Sequence, residues 1–285
     1  MVSNRMLSNE LVKVSVAITT YNEEDHIEDA LESLINQSYS SFEIVVVDDG
    51  SEDRTGEILA DYEDSERIRV IYSNHIGRSG ALNTAIDKAR GEYIAIVDPD
   101  DISEENRLEL QAEYLDQHPD VGIVGSAYVA QNKIRSESYV REYPTDDTDI
   151  RHAMAKYIPI PHSSMMARRT ALVRSGLYDG TRQAIVDLDL MIRVAANYKL
   201  ANLSEPLITR SIREESNFHA IFEPNKRHLQ LCRLHLKAVH VLGLPQHYYL
   251  YALGHLLYYY LPNSVKKQVR RSFAGFTERK TTEEQ

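Results

Sequence analysis

Short apolar segments alternate with amphipathic ones over the first hundred residues of the chain. Four segments rich in β-branched and aliphatic residues predict buried strands: 11–19, 42–47, 68–72 and 93–97. Three segments between them space their apolar residues as a helix lying on a sheet does: 26–37, 54–62 and 79–89. Strands joined by helices of this length predict a parallel sheet with right-handed crossovers.

The alternation weakens in the second part of the chain. Patterning predicts helices over 103–117 and 187–198, and strands over 121–129, 165–167 and 207–212. The stretch 131–148 is polar and has no clear periodicity, which predicts irregular structure. From about residue 223 the pattern is helical, and the charged end, 277–285, lacks apolar anchors and is expected to fray.

Polar side chains follow the predicted strands at the points where they end. Thr20, Tyr21 and Asn22 follow the first strand, and Asp48 and Asp49 the second. An acidic cluster, 98–101, follows the fourth. Because ligands of parallel α/β sheets bind beyond the carboxyl ends of the strands, we expect these side chains to share one site.

The overall charge and composition limit the kinds of protein that this chain could be. The formal net charge of −11 argues against a nucleic-acid-binding protein, which needs a basic face. The single cysteine, Cys232, cannot form an internal disulfide, which is typical of a reducing compartment. Residues 1–13 lack the apolar core of a secretory signal, and no apolar run reaches the ~20 residues of a spanning helix. We therefore expect a cytoplasmic protein.

The cluster Asp98-Pro99-Asp100-Asp101 is the clearest candidate for a metal site. Three carboxylates so close in sequence repel one another unless a cation neutralises them, and oxygen ligands of this kind suit Mg²⁺ or Mn²⁺. The alternative is an Asp-rich turn in which Asp101 or Ser103 caps the next helix.

Five segments resemble, in order, the signatures of family-2 glycosyltransferases of the GT-A fold. They are the opening strand and loop at 14–24, the second and third signatures at 43–55 and 77–83, the Asp-x-Asp motif at 98–101, and the acidic helix start that supplies the catalytic base at 186–193. Each segment alone is weak, but five in order over roughly residues 12–215 are specific.

This resemblance implies an α/β fold of the GT-A class, a Rossmann-like, mostly parallel central sheet flanked by helices, here with a C-terminal helical extension. It implies a glycosyltransferase domain over 1–222, with nucleotide-sugar binding in about 12–117 and the acceptor side in about 118–222. Residues 223–285 would form the helical segment.

The resemblance also implies which residues bind the donor nucleotide. Thr19 and Tyr21 would contact the base, with the Tyr21 ring available for stacking. Asp49 would accept a hydrogen bond from a base ring N–H, which uracil, thymine and guanine possess and cytosine lacks. UDP-, GDP- or dTDP-sugars are therefore expected rather than CDP-sugars. Arg78 would reach the ribose or diphosphate.

The remaining roles implied by the resemblance concern the metal and the reaction. Asp98 and Asp100 would hold the ribose and a Mn²⁺ or Mg²⁺ ion, with Asp101 as a further ligand. Asp187 would remove the proton of the acceptor hydroxyl as that oxygen attacks the anomeric carbon. A single in-line displacement of this kind inverts the anomeric centre.

Three of these assignments have a structural alternative. Asp49 could bond only to backbone amides of its turn, and Arg78 could be a surface cation. Asp187 could cap the helix that follows it, which would leave Asp189 as the base. His162 could line the pocket on the acceptor side or serve a structural role.

The sequence departs from the family pattern at two places. Val186 stands where the family commonly has Glu, so the candidate base lacks that hydrogen-bonding neighbour. The segment 210–216 resembles the family's Arg-x-His motif without its His. Arg210 or Arg213 would then supply that diphosphate contact.

The C-terminal segment allows two interpretations. Segment 245–261 is rich in Tyr and Leu, and the basic residues Lys266, Lys267, Arg270 and Arg271 follow it. Aromatic residues beside cations are typical of a membrane interface, which would give peripheral contact through 245–275 at the inner membrane face. The alternative is a helix hairpin packed on the catalytic domain with a solvated basic end.

A possible second metal site is weaker. His228, Cys232 and His235 share one face of a predicted helix, a spacing that could bind zinc. No fourth ligand is evident, so the sequence favours an ordinary packed face.

The sequence as a whole predicts transfer of a hexose from a nucleotide-diphosphate-sugar to an acceptor hydroxyl in glycan, lipid-linked oligosaccharide or polysaccharide assembly. The alternatives are a catalytically inactive nucleotide- or sugar-binding module of the same fold and a sugar-phosphate nucleotidyltransferase. The latter needs a Gly-rich basic loop after the first strand, where residues 20–24 are acidic. A nicotinamide dehydrogenase is excluded because Gly-x-Gly-x-x-Gly is absent there.

Overall fold

The computed structural model describes residues 12–132, 137–182, 184–212, 224–262, 264–266 and 279–280. The strands in this part of the chain are β1 Val14–Thr20, β2 Phe42–Asp48, β3 Ile68–Tyr72, β4 Tyr93–Val97, β5 Asp101–Ser103, β6 Val121–Asn132, β7 Glu137–Arg141, β8 Met166–Arg168, β9 Lys199–Ile212 and β10 Arg279–Lys280. The helices are α1 Ile27–Ile35, α2 Thr55–Ala60, α3 Arg78–Lys88, α4 Arg107–Gln117, α5 Asp147–Ala153, α6 Arg169–Arg174, α7 Val186–Ala195, α8 Pro224–Val241 and α9 Tyr248–Tyr260.

A single mixed sheet runs through the protein. Its main path has the order β10-β7-β6-β8-β4-β1-β2-β3, and β9 pairs with both β5 and β6. The strands β4, β1, β2 and β3 are mutually parallel, whereas β8 runs antiparallel to β4 and β6. The prediction of a parallel half joined by helices is therefore confirmed, and the mixed half follows after β4.

Side chains that alternate along each central strand form a core on each face of the sheet. On β1, Val16 and Ile18 join a cluster with residues of α1, α2 and α4. Ala17 of β1 and Ile96 of β4 join the other cluster, which includes residues of α3, α6, α7 and α8. Because both faces are covered, these strands are nearly continuous apolar runs. Truncation of a fully buried Ile such as Ile96 to Ala costs about 2–5 kcal/mol.

Two sequence predictions are wrong in the mixed half. The stretch 131–148, expected to be irregular, contains β7 and the start of α5. The helix expected from residue 103 begins at Arg107, because Asp101–Ser103 forms β5. β5 forms through pairing with β9, a strand far along the chain, so the sequence around residue 101 carries no sign of it. β7 forms a hairpin with the preceding strand β6, but its largely polar sequence lacks a clear strand alternation.

The C-terminal helices α8 and α9 pack against each other, as the hairpin interpretation predicts. Leu234 and Ala238 of α8 join the core cluster that includes α3 and α7. His235 Nδ1 donates a 2.6 Å hydrogen bond to the carbonyl oxygen of Met154, and Cys232 is buried. These contacts are those of a packed helix face and show no metal-binding arrangement.

Among the described residues, no helix combines the length and the apolar character that crossing a membrane requires. The domain boundary at residue 222 stays a prediction.

Candidate active site

The acidic cluster lies where β4 ends. Asp98 follows β4 directly, and the backbone N–H of Asp101 donates to the carbonyl oxygen of Asp98 at 3.2 Å, which turns the chain into β5. This turn brings the carboxylates of Asp98, Asp100 and Asp101 together, with one ligand oxygen from each within 4.8 Å of the others. The three side chains therefore face one point, as a shared cation requires.

Arg78 connects this cluster to the start of α3. Gly77 precedes the helix with φ of +79°, and the Arg78 guanidinium then donates to Asp98 Oδ1 at 2.5 Å. Burial raises the pKa of Asp98, but Arg78, His162 and Arg210 together outweigh this effect and hold the pKa well below its usual range. Asp98 is therefore ionised, and Arg78 is not a free surface cation.

His162 and Tyr178 extend the network behind Arg78. Arg78 Nη2 lies 3.0 Å from His162 Nδ1, and His162 Nε2 lies 2.8 Å from the Tyr178 hydroxyl. Because a guanidinium can only donate, Nδ1 accepts this hydrogen bond, which leaves Nε2 to donate to the Tyr178 hydroxyl. Asn83 anchors Tyr178 by hydrogen bonds to its backbone N–H and carbonyl at 2.9 and 2.8 Å.

Asp101 faces a second cation across the sheet. Pairing of β5 with β9 places Asp101 opposite Arg210, and Arg210 Nε lies 3.2 Å from Asp101 Oδ2. Burial, together with the charges of Asp98 and Asp100, nevertheless raises the pKa of Asp101 to about 7 against the opposing effect of Arg210. Asp98, Asp100 and Asp101 nevertheless offer carboxylate oxygens of the kind that a divalent cation takes as ligands.

Asp187 lies in the first turn of α7, after Ile185 in the left-handed region at φ of +56°. Asp187 Oδ1 accepts a 2.8 Å hydrogen bond from the backbone N–H of Leu188. Burial lowers the pKa of Arg78, but the charges of Asp98 and, less strongly, Asp187 raise it above its usual range. Asp187 therefore acts electrostatically on the same arginine as the acidic cluster.

Asp189, the alternative base, is enclosed by cations. Its oxygens accept from Arg193 Nε at 2.9 Å and Lys237 Nζ at 2.7 Å, and Arg182 lies 3.3 Å away. Arg193 in turn donates to the carbonyl oxygen of Leu177, beside Tyr178. This pattern is that of a carboxylate with a structural role, and Asp187 as the catalytic base stays a prediction.

Asp49 organises the loop after β3. Its Oδ1 accepts from Ser73 Oγ and from the backbone N–H of Ile76, both at 2.7 Å, and its Oδ2 accepts from the backbone N–H of Gly77 at 2.8 Å. These amides belong to the loop before Arg78 rather than to the turn of Asp49 itself. Because a carboxylate offers about four acceptor positions, these bonds leave capacity for a base N–H.

Tyr21 and His75 form an aromatic pair beside Asp49. Their ring centroids lie 4.6 Å apart at 52°, Tyr21 is 37% exposed, and His75 has φ of +51°. Thr19 lies at the partly exposed end of β1, opposite Val47 of β2. Both proposed base-contacting residues thus lie at the carboxyl end of β1, beside the end of the neighbouring strand β2, which Asp49 follows.

The structure brings the predicted residues into two groups at one edge of the sheet. The acidic group holds Asp98, Asp100, Asp101 and Arg78, with Asp187 acting on Arg78; the base group holds Thr19, Tyr21 and Asp49. Sequence reasoning missed Tyr178 and His75 as members of these groups. The signal in the sequence that could have indicated Tyr178 is Asn83 of the third signature, because a polar side chain within a helix needs hydrogen-bond partners. Arg213 lies outside the described residues.

Comparison with known proteins adds a family match. The family model described as Glycosyl transferase family 2 matches residues 15–177. An uncharacterized glycosyltransferase of Methanocaldococcus jannaschii is 30% identical over 213 residues, which are 72% of each chain. EpsE of Bacillus subtilis, also named as a glycosyltransferase, is 32% identical over 72% of this chain and 74% of its own length.

Solved structures show the same fold. S. aureus TarS 1–349 in complex with UDP-GlcNAc superimposes with a TM-score of 0.64 at 22% identity, over 93% of this chain and 73% of that one. The mannosyltransferase PcManGT from Pyrobaculum calidifontis, in complex with GDP-Man and Mn²⁺, gives 0.62 at 20% identity, over 93% and 81%. The predicted GT-A fold, with its central sheet flanked by helices, is thereby confirmed.

Proposed function

The chain belongs to glycosyltransferase family 2, and we propose that it transfers a hexose from a UDP-, GDP- or dTDP-sugar to an acceptor hydroxyl with inversion at the anomeric carbon. The observation that carries this proposal is the cluster of three carboxylates, Asp98, Asp100 and Asp101, of which Asp98 binds Arg78. The charge of Asp187 acts on the same arginine. This network thus offers Arg78 as a partner for the donor diphosphate and Asp187 as a base for the acceptor hydroxyl.

The donor nucleotide is assigned to the base group. In this proposal Tyr21 stacks on the base, Asp49 accepts its ring N–H, Thr19 lines the same end of β1, and Arg78 contacts the ribose or diphosphate. The preference against cytosine follows from the acceptor-only chemistry of Asp49. The UDP-GlcNAc and GDP-Man bound by the two structural relatives support a base with such an N–H.

A divalent cation, Mn²⁺ or Mg²⁺, is assigned to the acidic group. Asp100 and Asp98 would hold it, with Asp101 as a further ligand. When bound, the cation offsets the negative charge that develops on the departing diphosphate. The Mn²⁺ in the PcManGT complex supports this assignment without identifying the ion for this chain.

Asp187 is assigned the role of general base. Its carboxylate takes the proton of the acceptor hydroxyl while that oxygen forms a bond to the anomeric carbon. The bond from the anomeric carbon to the diphosphate oxygen breaks at the same time, and the nucleoside diphosphate leaves with the electron pair. Attack from the face opposite the leaving group inverts the anomeric centre.

The acceptor is assigned to the second half of the sheet. We propose a saccharide or lipid-linked saccharide bound by residues of 118–222, in glycan or polysaccharide assembly. This assignment rests on α7, which lies within residues 118–222 and carries Asp187 in its first turn. The C-terminal segment from residue 223 would then be an accessory unit.

Isothermal titration calorimetry with UDP, GDP, dTDP and CDP tests the proposal directly. Each nucleotide is titrated into the protein in the presence of Mn²⁺, and again with EDTA. We expect one of the first three to bind in a metal-dependent manner and CDP to bind least. The binding nucleotide then selects the sugar donors for a transfer assay, whose product linkage is read by NMR.

The outcomes separate the alternatives. Nucleotide binding without transfer to any acceptor would favour an inactive binding module of this fold. Release of pyrophosphate from a nucleoside triphosphate and a sugar phosphate would favour a nucleotidyltransferase. Binding that is indifferent to EDTA would overturn the metal assignment alone.

A further inference from the structure

Helix α9 presents an apolar stripe to solvent. Leu250, Leu257 and Tyr260 are 72%, 71% and 80% exposed, and Leu253 is exposed as well. Their positions, i, i+3, i+7 and i+10, place all four on one side of the helix. A contiguous exposed apolar patch of this kind marks an interaction surface.

The opposite side of α9 is fixed against the protein. Tyr248 and Ala252 are buried, and Tyr248 packs with Ala155 and Val239. Lys156 Nζ lies 5.2 Å from the centre of the Tyr248 ring. These contacts hold α9 with the stripe facing outward.

The stripe lies in the basic part of an acidic chain. The net charge is −11, yet residues 224–277 contain eight Lys and Arg residues and no Asp or Glu. Two lysines stand beside α9 itself: Lys156 Nζ is 4.9 Å from the centre of the Tyr251 ring, and Lys266 Nζ is 5.9 Å from that of Tyr258. Leucine, tyrosine and exclusively basic charge together match an anionic lipid surface.

We propose that α9 docks its apolar stripe onto an anionic lipid bilayer and lies in the plane of the membrane surface. The helix has 13 residues and is therefore ~20 Å long, shorter than the ~30 Å hydrocarbon core of a bilayer. Docking is thus peripheral. This inference goes beyond the proposed reaction and does not depend on it.

Charge favours lipid over a second copy of the chain. Pairing of two stripes about a two-fold axis would bring the lysines beside α9, Lys156 and Lys266, close to those of the second copy, which is repulsive. Anionic lipid attracts this segment and repels the acidic remainder of the chain. The membrane therefore selects one orientation, with α9 toward the bilayer.

Vesicle sedimentation tests this inference. The whole chain is mixed with phosphatidylcholine vesicles that contain or lack phosphatidylglycerol, at low and at high salt. We expect binding to the anionic vesicles, weaker binding when salt screens the lysines and arginines, and little binding to phosphatidylcholine alone. Equal binding to both kinds of vesicle, or none to either, would overturn the proposal.

A matched pair of variants locates the contact. Leu257→Glu places a charge in the stripe, whereas Val173→Glu makes the same change of charge at a 55% exposed position on α6. We expect Leu257→Glu to lower the bound fraction about tenfold and Val173→Glu to leave it near the wild-type value. Equal binding by both variants contradicts the assignment to α9.

Two further measurements keep the result interpretable. Circular dichroism melts show that both variants fold, and light scattering without lipid reports self-association. If the wild-type protein is a dimer that does not bind the vesicles and Leu257→Glu is a monomer, the stripe pairs two copies and the lipid proposal is wrong. Nucleotide calorimetry on the same samples tests the proposed function separately.

Discussion

Lys237 of α8 donates a 2.7 Å hydrogen bond to Asp189 of α7, two positions after Asp187. The Asp189 carboxylate is almost fully buried and also contacts Arg193 and Arg182. The C-terminal helices are therefore tied directly to the turn that presents the candidate base. This connection lies outside residues 15–177, over which the family model matches.

Lys237→Met is expected to destabilise the protein. The substitution keeps most of the side-chain volume but removes the closest donor to Asp189 Oδ1 and leaves only Arg182, at 3.3 Å, on that oxygen. Loss of this hydrogen bond to a buried carboxylate costs about 1–3 kcal/mol. Chemical denaturation should show this loss in the free energy of unfolding, and Lys237→Arg should restore most of it. Identical unfolding midpoints for Lys237→Met and wild type would show that the contact contributes nothing.

The stabilisation due to Asp189 should depend on pH. Burial raises its pKa, but the hydrogen bond from Lys237 and the neighbouring arginines outweigh burial and lower the pKa below the ordinary value. A carboxyl group with a lowered folded-state pKa stabilises the fold above its unfolded pKa of about 3.9, and loses this contribution as pH falls toward the folded value. The stability difference between wild type and Asp189→Asn should therefore be constant near neutral pH and shrink below about pH 4. Denaturation curves of both proteins across this range provide the measurement, and a difference that grows on acidification would contradict it.

The sequence predicted the parallel half of the fold well because its signals are local. β1, β2 and β4 are apolar runs that are followed by polar residues, so the position of Asp49 and of the acidic cluster at one sheet edge followed from strand direction alone. The assignment of Tyr21 to the same edge has the same origin.

The remaining features depend on contacts between distant residues. β5 is a strand because Asp101 pairs with Arg210, more than a hundred positions later, and no window around Asp101 contains that information. Tyr178 reaches the site through Asn83 and His162 for the same reason. The exposed stripe of α9 was equally hidden, because its Tyr- and Leu-rich sequence does not show which side packs.

Asp100→Asn is expected to weaken metal-dependent nucleotide binding. Loss of one carboxylate from the group of three removes charge and a ligand oxygen from the proposed cation site. Affinity for the nucleoside diphosphate in Mn²⁺ should fall by about ten- to a hundredfold. Binding in EDTA should be unchanged, and transfer should be abolished. Calorimetry with and without Mn²⁺ measures both, and equal loss under the two conditions would indicate damage to the fold instead.

Asp187→Asn is expected to separate chemistry from binding. An amide preserves the shape of the side chain and its acceptor oxygen toward the N–H of Leu188, but it cannot take a proton from an acceptor hydroxyl. Asp187 is not one of the residues proposed to bind the nucleotide base, so nucleotide affinity in Mn²⁺ should stay near the wild-type value. The turnover number, kcat, should fall by about a hundredfold or more. Asp120→Asn is the matched control, since Asp120 is an exposed carboxylate that is paired with Lys199 and directly precedes β6. Steady-state kinetics on the wild type and both variants provides the measurement. Full activity of Asp187→Asn would show that Asp187 is not the base. An equal loss in Asp120→Asn would show that the assay reports folding rather than proton transfer.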